Sequence, residues 1–544
     1  MTHNVPFRIF LSSSFVRAQT LWAMLLLTLS GCAIPGLRYA ERGSVTPDTF
    51  HGVTDTQNSA DLGFHAFFND PSLTQLISEG LSRNQELKIR NQEIQIARNE
   101  IMARRGAYLP FVNVGAGGGF EKNSRFTPLG AAEEQLTYPG GGRFSDPLGK
   151  SGLSANLLWQ VDLWGQLRTA RQAAEQRYCE AIEARDYLIT QLVAEIAENY
   201  YELAALDKRM VFLNQTIEIQ QQSLQMAKDL KEAGRDTTEL GVQRFLAEVR
   251  KNESQRLIIN QQIIEVENRI NFLAGRYPQP VDRMGWDFIQ LDSRMLNVGV
   301  PSELLRNRRD IRAAAREVAA SGLDVYVAEA NFYPRLDITA GVGFEAFNPR
   351  FLFDPGAFVA NAAGGLVAPL INKAAIRAEY SNANSRQLQA IYNYQQTVLN
   401  AFIEVVNETN KVANYRQSVA IKQEQVTAME RSVSIATDLF QAFRAEYVDV
   451  LFSQRDLLDA RTVLIETKQE QLAAIVRAYR ALGGGSLSPD TGLDMTATVP
   501  AIPEPAADGN DAAPADDAAT GKATIEDAAE GAIVAPAVPD INNN

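Results

Sequence analysis

The sequence predicts an α+β membrane protein in which long helical coiled coils continue from a small β-sheet. Three observations predict this fold class: a pattern that recurs after 224 residues, alternating runs of about ten residues, and two proline-free stretches of 68 and 70 residues. Four alternating runs cannot close a barrel on their own, and three copies of the chain would close one of twelve strands. If these runs are transmembrane strands, the chain must oligomerise, and a trimeric 12-stranded β-barrel with four strands per protomer, continued by an α-helical barrel, is an assembly that satisfies this.

The first 31 residues have the features of a lipoprotein signal peptide. Two arginines precede an apolar run at 21–29, which is too short to span a bilayer, and the run ends Leu29-Ser30-Gly31-Cys32. A cysteine directly after Ser-Gly resembles the bacterial lipobox, in which the cysteine receives diacylglycerol and an N-acyl chain and becomes the first mature residue. Ala33 follows, and the absence of aspartate there favours sorting to the outer membrane. The alternative is ordinary secretion with an incidental cysteine.

Charge is concentrated at the C-terminus. The net charge is −13, and residues 486–544 hold eleven Asp and Glu against one lysine. This Ala- and Pro-rich tail has too few large apolar residues to offset the entropy of ordering, which predicts a disordered segment. The remaining body is close to neutral, so nothing indicates nucleic-acid binding. With Cys32 acylated, Cys179 has no partner for an intramolecular disulfide.

The body of the chain is an internal duplication of one unit. The 224-residue shift pairs Pro110 with Pro334 and Phe120 with Phe344, and a shift near 209 pairs Glu195 with Glu404. The predicted domains are a lipid-anchored extended segment (32–72), a first repeat (73–275), a linker (276–301), a second repeat (302–485) and the acidic tail.

Each repeat reads as helix, strand, strand, long helix, turn and helix. Strands are predicted at 110–122, 152–163, 334–345 and 357–369, long helices at 166–233 and 373–442, and returning helices at 240–274 and 447–482. Leu203, Leu206, Met210, Leu213 and Ile217 step by three and four residues, which is a coiled-coil seam. The shorter helices, 73–106 and 302–330, are expected to stack end to end on the returning helices. The strands suit a transmembrane barrel, and a soluble hairpin half buried against a core stays open as an alternative.

Several short segments together resemble the TolC/OprM family of outer-membrane factors, in its NodT-like subgroup, over residues 64–485. They include Phe67-Phe68-Asn69-Asp70-Pro71, Tyr108-Leu109-Pro110, Trp159-Gln160-Val161-Asp162-Leu163-Trp164-Gly165, Phe332-Tyr333-Pro334, Tyr447-Val448-Asp449-Val450-Leu451 and Ala481-Leu482-Gly483-Gly484-Gly485. The resemblance implies a homotrimer with its barrel in outer-membrane lipid and its helices in the periplasm. It also implies docking of the helical tips onto a periplasmic membrane-fusion adaptor, which engages an inner-membrane pump, the RND type being favoured.

The two turns between long and returning helices carry the residues that the resemblance singles out. The candidate adaptor contacts are Gly234, Arg235, Thr237, Phe443, Arg444 and Glu446. Asp449 matches a position where acidic residues ring the closed periplasmic mouth in related channels, and a ring of three such carboxylates would attract cations and hold the gate. The alternative is a surface carboxylate that faces water. Proline, which the family usually has, is replaced by Arg309, where a local effect on a helix start is expected.

No catalytic residue, cofactor or metal site is predicted. The mature chain would keep two histidines, His51 and His65, and it has neither a metal-binding Cys/His spacing nor a phosphate-binding loop. The predicted function is the exit duct of a tripartite efflux system that conducts drugs or other small molecules. Alternatives are a type I protein secretion channel, metal-ion efflux, and a lipid-anchored periplasmic scaffold without a pore.

Overall fold

A computed structural model describes residues 34–50, 57–138, 141–234, 238–283, 288–291, 297–369, 372–442 and 444–485. The signal peptide, Cys32, Arg235, Thr237, Phe443 and the acidic tail lie outside the described residues. The chain divides into two compact units. One contains the strands and the helix ends next to them, and the other contains most of the helical residues and the segments that connect them.

The described chain contains helices of very different length and four strands. In chain order they are α1 Phe64–Phe68, α2 Pro71–Arg83, α3 Gln85–Ala107, β1 Phe111–Glu121, α4 Pro128–Gln135, β2 Leu148–Val161, α5 Gln166–Glu232, α6 Glu239–Leu273, α7 Glu303–Asn307, α8 Arg309–Ala330, β3 Arg335–Ala346, β4 Phe358–Val367, α9 Ala374–Gln441 and α10 Tyr447–Ala481. Of the predicted segment 32–72, residues 34–47 contain neither helix nor strand, a 3₁₀ turn lies at Ser59–Asp61, and α1 begins at Phe64. Within the described ranges, no helix is both long enough and apolar enough to cross a membrane.

The long helices agree with the sequence-based boundaries to within one residue. α5 has 67 residues and α9 has 68, so each extends about 100 Å at 1.5 Å per residue. The predicted seam of α5 is apolar and packed: Leu203, Leu206, Leu213 and Ile217 are buried, and the last three pack with Ile259 of the returning helix α6. The two helices thus pair as an antiparallel coiled coil.

The shorter helices differ from the prediction because each is broken in two. Helix α2 ends at Arg83 and α3 begins at Gln85, with Asn84 between them. The Asn84 side-chain oxygen accepts hydrogen bonds from the backbone N–H of Glu86 (2.8 Å) and Leu87 (3.1 Å), so Asn84 caps α3. Its side-chain nitrogen donates to the carbonyl of Leu273, at the end of α6, over 3.0 Å.

The second repeat is broken at the equivalent position, 224 residues later. Helix α7 ends at Asn307 and α8 begins at Arg309, with Arg308 between them. The buried Arg308 guanidinium donates to the carbonyl of Ala481, at the end of α10, over 3.0 Å and to Glu404 over 2.7 Å. A polar side chain at each break therefore holds the end of the returning helix. Arg309, where a local effect was expected, is the first residue of α8 and pairs with Glu183.

The four strands form one antiparallel sheet in the order β1-β2-β3-β4. Three strands begin or end within two residues of their predicted limits, whereas β2 begins at Leu148, four residues before its predicted start. Residues 148–151 lack the apolar alternation, and they are strand because they pair with the end of β1, where Lys150 also forms an ion pair with Glu121. Backbone hydrogen bonds pair residues 148–151 with β1 whatever their side chains are, so apolar alternation could not predict this part of β2.

Candidate functional site

The sheet has one continuous apolar face. The register places Leu157 of β2 beside Val112 of β1 and Ala340 of β3, and Ala340 beside Ala362 of β4. Neighbouring rows of the same face hold Val114, Ala155, Val342 and Ala360, and then Ala116, Leu153, Phe344 and Phe358. Side chains alternate between faces along every strand, so this register makes one side apolar, while the other side carries Gly, Asn and Ser together with a few apolar residues such as Phe111, Leu158 and Val359. Such a sheet can face lipid on one side and water on the other.

Both edges of the sheet lack a strand partner within the described chain. β1 pairs only with β2, and β4 pairs only with β3, among the residues that the structure places. Backbone N–H and C=O groups at such edges cannot be left unpaired in hydrocarbon. The sheet therefore has the features of one segment of a closed barrel to which other chains contribute.

Aromatic side chains lie where the sheet meets the helices. The Trp164 indole N–H donates to the carbonyl of Pro334 over 2.6 Å, and the Trp164 and Tyr333 ring centroids are 5.1 Å apart. Amphipathic aromatic rings of this kind are typical of a membrane–water boundary.

The first helical tip joins α5 to α6. Gly234 is exposed and has φ of +66°, a left-handed backbone conformation that favours glycine. Lys231 of α5 forms an ion pair with Glu239 of α6, and the hydrogen bond from Lys231 lowers the pKa of Glu239. Gln243 also donates to Glu239, over 2.7 Å. This tip therefore carries a locally neutralised pair, which sequence reasoning missed although both residues flank the turn.

The second helical tip joins α9 to α10 and contains Asp449. The Asp449 carboxylate accepts a hydrogen bond from the Glu446 backbone N–H at 3.2 Å, and the Glu446 side chain accepts one from the Asp449 backbone N–H. These reciprocal bonds form a capping box at the start of α10. Asp449, Glu446 and Arg444 are all exposed. The structure thus gives Asp449 a second role, since its carboxylate also stabilises the first turn of its own helix.

An apolar cluster lies next to the first tip, and a layer of polar contacts follows it further from the turn. Phe245, Val249 and Leu224 pack together there, with Leu451 of α10 against them. In the next layer the buried Asn252 donates to the buried Gln220 over 2.8 Å. Gln454 of α10 donates to Ser223 over 3.2 Å. These polar contacts were missed from the sequence because isolated Asn and Gln residues on a helix read as solvated positions. Among the described residues, no group of three or more His, Cys, Asp and Glu side chains is placed to hold a metal ion.

The N-terminal segment lies along the unit that contains the sheet. The backbone N–H of Arg38 donates to the side chain of Asn384 over 2.9 Å, and Asn384 donates back to the carbonyl of Arg38 over 3.0 Å. Ile34 and Leu37 pack against an apolar cluster that contains Phe332 and Tyr380. Phe332 is three residues before β3, so the start of the described chain lies beside the helix-bearing end of the strands.

Known proteins with a similar sequence and fold are outer-membrane proteins of efflux systems. Residues 76–276 and 300–484 match the family described as outer membrane efflux protein. The toluene efflux pump outer membrane protein TtgF of Pseudomonas putida is 24% identical, over 80% of this chain and 88% of its own length. The cation efflux system protein CusC of Escherichia coli is 23% identical, over 84% of this chain and 97% of its own. The solved structure of the outer-membrane channel OprN superposes with a TM-score of 0.73 at 24% identity, covering 83% of this chain and 99% of OprN. The fold class predicted from the sequence is confirmed.

Proposed function

The chain belongs to the outer membrane efflux protein family, and we propose that it is the exit duct of a tripartite efflux system. The sequence-based prediction of an outer-membrane channel for efflux is confirmed by that family. In the proposed system the duct passively conducts drugs and other small molecules delivered by an inner-membrane pump of the RND type through a periplasmic adaptor. The family is one of transport proteins, and the energy for transport comes from the pump.

The observation that carries the proposal is the two-faced sheet with two open edges. A continuous apolar face four strands wide requires lipid or another apolar surface, and the unpaired edges require further strands. A homotrimer satisfies both, since β1 of one protomer pairs with β4 of the next and twelve strands close. A pore-free scaffold would leave the apolar face and both edges in water.

Conductance in planar bilayers tests the duct and its gate together. We expect discrete openings of the purified trimer with a preference for cations, which a ring of three Asp449 carboxylates would produce at the periplasmic mouth. Because Asp449 also caps α10, the test needs two variants. Asp449→Ala removes the charge and the carboxylate's half of the capping box, whereas Asp449→Asn removes the charge and keeps a side-chain oxygen that can accept the Glu446 N–H.

The outcomes separate the two roles of Asp449. Reduced cation preference in both variants supports a charged gate. A change in Asp449→Ala alone assigns the effect to the helix cap and removes Asp449 from the gate. Protein that inserts as crosslinked trimers yet conducts in no variant, even after the tips are cut away by limited proteolysis, would contradict the duct.

Lipidation of Cys32 is proposed to anchor the chain at the membrane. Ile34 packs against the apolar cluster that contains Phe332, three residues before β3, and two residues span at most about 7 Å. Acyl chains on Cys32 would therefore reach the bilayer that surrounds the sheet. We expect radioactive palmitate to label the wild type and a Cys179→Ser variant, and to leave Cys32→Ala unlabelled. Equal labelling of Cys32→Ala would refute the assignment.

Adaptor docking at the two tips is proposed from their exposure. Gly234, Arg444 and Glu446 are exposed, and Arg235, Thr237 and Phe443 belong to the same two turns of the sequence. We expect Arg444→Glu to raise the drug sensitivity of cells that depend on this pump, since it reverses a charge at the contact. Arg256→Glu is the matched control, because Arg256 is an exposed arginine on α6, well away from the tip. Equal loss of efflux in both variants would argue against a contact at Arg444.

The transported compounds are proposed to be set by the pump. Relatives of nearly equal similarity are named for toluene and for cations, which supports a duct of low selectivity. If the ducts of two pumps in one host are exchanged, the set of drugs that each pump confers resistance to should stay the same. A resistance profile that moves with the duct would contradict this, and export of a polypeptide would favour type I secretion.

A further inference from the structure

The polar face of the sheet has charged residues only near its two ends. Glu121, Lys150 and Glu345 lie near the loop-bearing end, while Arg335 and Asp337 lie at the helix-bearing end. Between Glu345 and Asp337, β3 runs for eight residues, which is roughly 27 Å at 3.4 Å per residue. The central rows of this face are therefore free of charge.

A row of asparagines crosses the middle of this face. Asn113 of β1 pairs with Asn156 of β2, Asn156 pairs with Gly341 of β3, and Gly341 pairs with Asn361 of β4. All three asparagines are exposed. The adjacent row towards the loops holds Gly115, Ser154, Gly343 and Val359, and the adjacent row towards the helices holds Phe111, Leu158, Thr339 and Ala363. The asparagine row is thus the one central row with amide side chains.

Gly341 gives the amides their room. A Cβ atom built on Gly341 would lie 2.8 Å from Oδ1 of Asn361 and 3.0 Å from Oδ1 of Asn156. Any side chain at this position would displace both carboxamides. Asn156 also donates to Ser154 over 3.2 Å, which orients its amide along the face. The glycine and the two asparagines therefore fit each other.

We propose that Asn113, Asn156 and Asn361 form a neutral amide belt halfway along the transmembrane lumen, which passes polar solutes of either charge. The proposal rests on the proposed function, in which the apolar face meets lipid and the polar face lines the lumen of a trimer. Each carboxamide offers two N–H donors and an oxygen acceptor. It can replace water around a cation, an anion or a neutral polar solute, and it repels none of them by charge. Charge selection then belongs to the ends of the duct.

Cysteine accessibility tests the belt from the outside of intact cells that lack general porins. All probes are built in a Cys179→Ser background. Gly117→Cys lies two rows from the belt on the loop-bearing side, where a Cβ atom meets open space, and Gln160→Cys lies two rows away on the helix-bearing side. Ala155→Cys, on the apolar face beside Asn156, is the lipid-facing control. Two membrane-impermeant methanethiosulfonates of similar size, one with a trimethylammonium group and one with a sulfonate, are compared.

With the native belt, we expect the ratio of cation to anion labelling rates at Gln160→Cys to match the ratio at Gly117→Cys within about twofold, because amides carry no net charge. Asn156→Asp should raise the ratio at Gln160→Cys by about fivefold, the size of a screened interaction between unit charges in contact in water. Asn156→Ser, a neutral change at the same site, should leave the ratio unaltered. Asn113→Asp, on the edge strand, serves as a second charged variant if Asn156→Asp does not reach the membrane.

The possible outcomes are distinct. An unchanged ratio in the aspartate variants overturns the belt. So does a Gln160→Cys that neither reagent reaches while Gly117→Cys is labelled, since the belt would then block passage. If Ala155→Cys were labelled while neither Gly117→Cys nor Gln160→Cys reacted, the orientation of the sheet would be refuted, and with it the proposed function.

Discussion

The break between α2 and α3 is a strong test of how the helical unit is held together. Asn84 makes three hydrogen bonds, two as the cap of α3 and one to the end of α6. It is buried, so water cannot replace these bonds freely. Asn84→Ala removes all three bonds and leaves the Leu273 carbonyl without the donor that it has in the wild type.

The expected cost follows from the two functions of the side chain. Loss of an N-cap costs about 1 kcal/mol, and a buried carbonyl left without its donor costs about 1 to 3 kcal/mol. Asn84→Ala should therefore destabilise the helical unit by about 2 to 4 kcal/mol. Arg308→Met, at the equivalent break, should cost about 3 kcal/mol, the lower end of the range for a broken buried ion pair, because Asp310 loses its cation while Glu404 keeps Arg480.

Thermal unfolding followed by circular dichroism at the helix band measures both variants in detergent. Asn99→Ala is the matched control, since Asn99 is exposed on α3 and alanine favours a helix. The midpoint should fall for Asn84→Ala and stay near that of the wild type for Asn99→Ala. Equal midpoints for Asn84→Ala and Asn99→Ala would refute the view that the breaks hold the returning helices.

Three further predictions concern single contacts. Burial raises the pKa of Glu404, but Arg308 and Arg480 outweigh this effect, so the pKa lies below the ordinary 4.5. The ion pairs of the Glu404 carboxylate therefore stabilise the fold above pH 4.5, and this contribution is lost as the pH falls through the lowered pKa. Glu404→Gln should therefore lower the thermal midpoint at neutral pH and reduce its further fall in acid, and an unaltered pH profile would contradict this. Tyr479→Phe should lower the free energy of unfolding in urea by about 1 kcal/mol, since the buried hydroxyl donates to the Leu62 carbonyl over 2.5 Å. An unchanged unfolding midpoint would show that this bond does not stabilise the fold. Gly234→Ala should destabilise the first tip by about 1 kcal/mol, because of its positive φ, with faster proteolysis at that turn than in Gly234→Asn, and equal rates would contradict the strain.

The long helices were predictable because their signals are local and continuous. Helices α5 and α9 contain no proline, and the seam of α5 steps regularly from Leu203 to Ile217. The breaks were not predicted. Asn84 is a good cap residue followed by Glu86, so that signal was present but lay within an apolar periodicity that continued through it. Arg308 gives no local signal, because its role depends on Glu404 and Ala481, which are far away in the chain.

The sheet was predicted by alternation, but its register was not. Alternation assigns a residue to a face, and it does not say which residue of the next strand lies beside it. The asparagine row exists only once Asn113, Asn156 and Asn361 are aligned across three different strands. At the second tip, in contrast, the cap was readable: Glu446 and Asp449 have the spacing of a capping box at the start of an apolar helix.

The two tips have diverged in charge, and burial explains part of the difference. Helix α6 begins after Thr238, which makes no side-chain cap bond, and Gly241 occupies the position that Asp449 has in α10. Gly241 is buried, so a carboxylate there would lose much of its hydration, which is costly. Asp449 is exposed, so water can hydrate its carboxylate. An acidic residue at the third position of the helix is therefore tolerated on the second tip, where Asp449 also stabilises the helix start. In the proposed duct, a charge-dependent gate would act through α10.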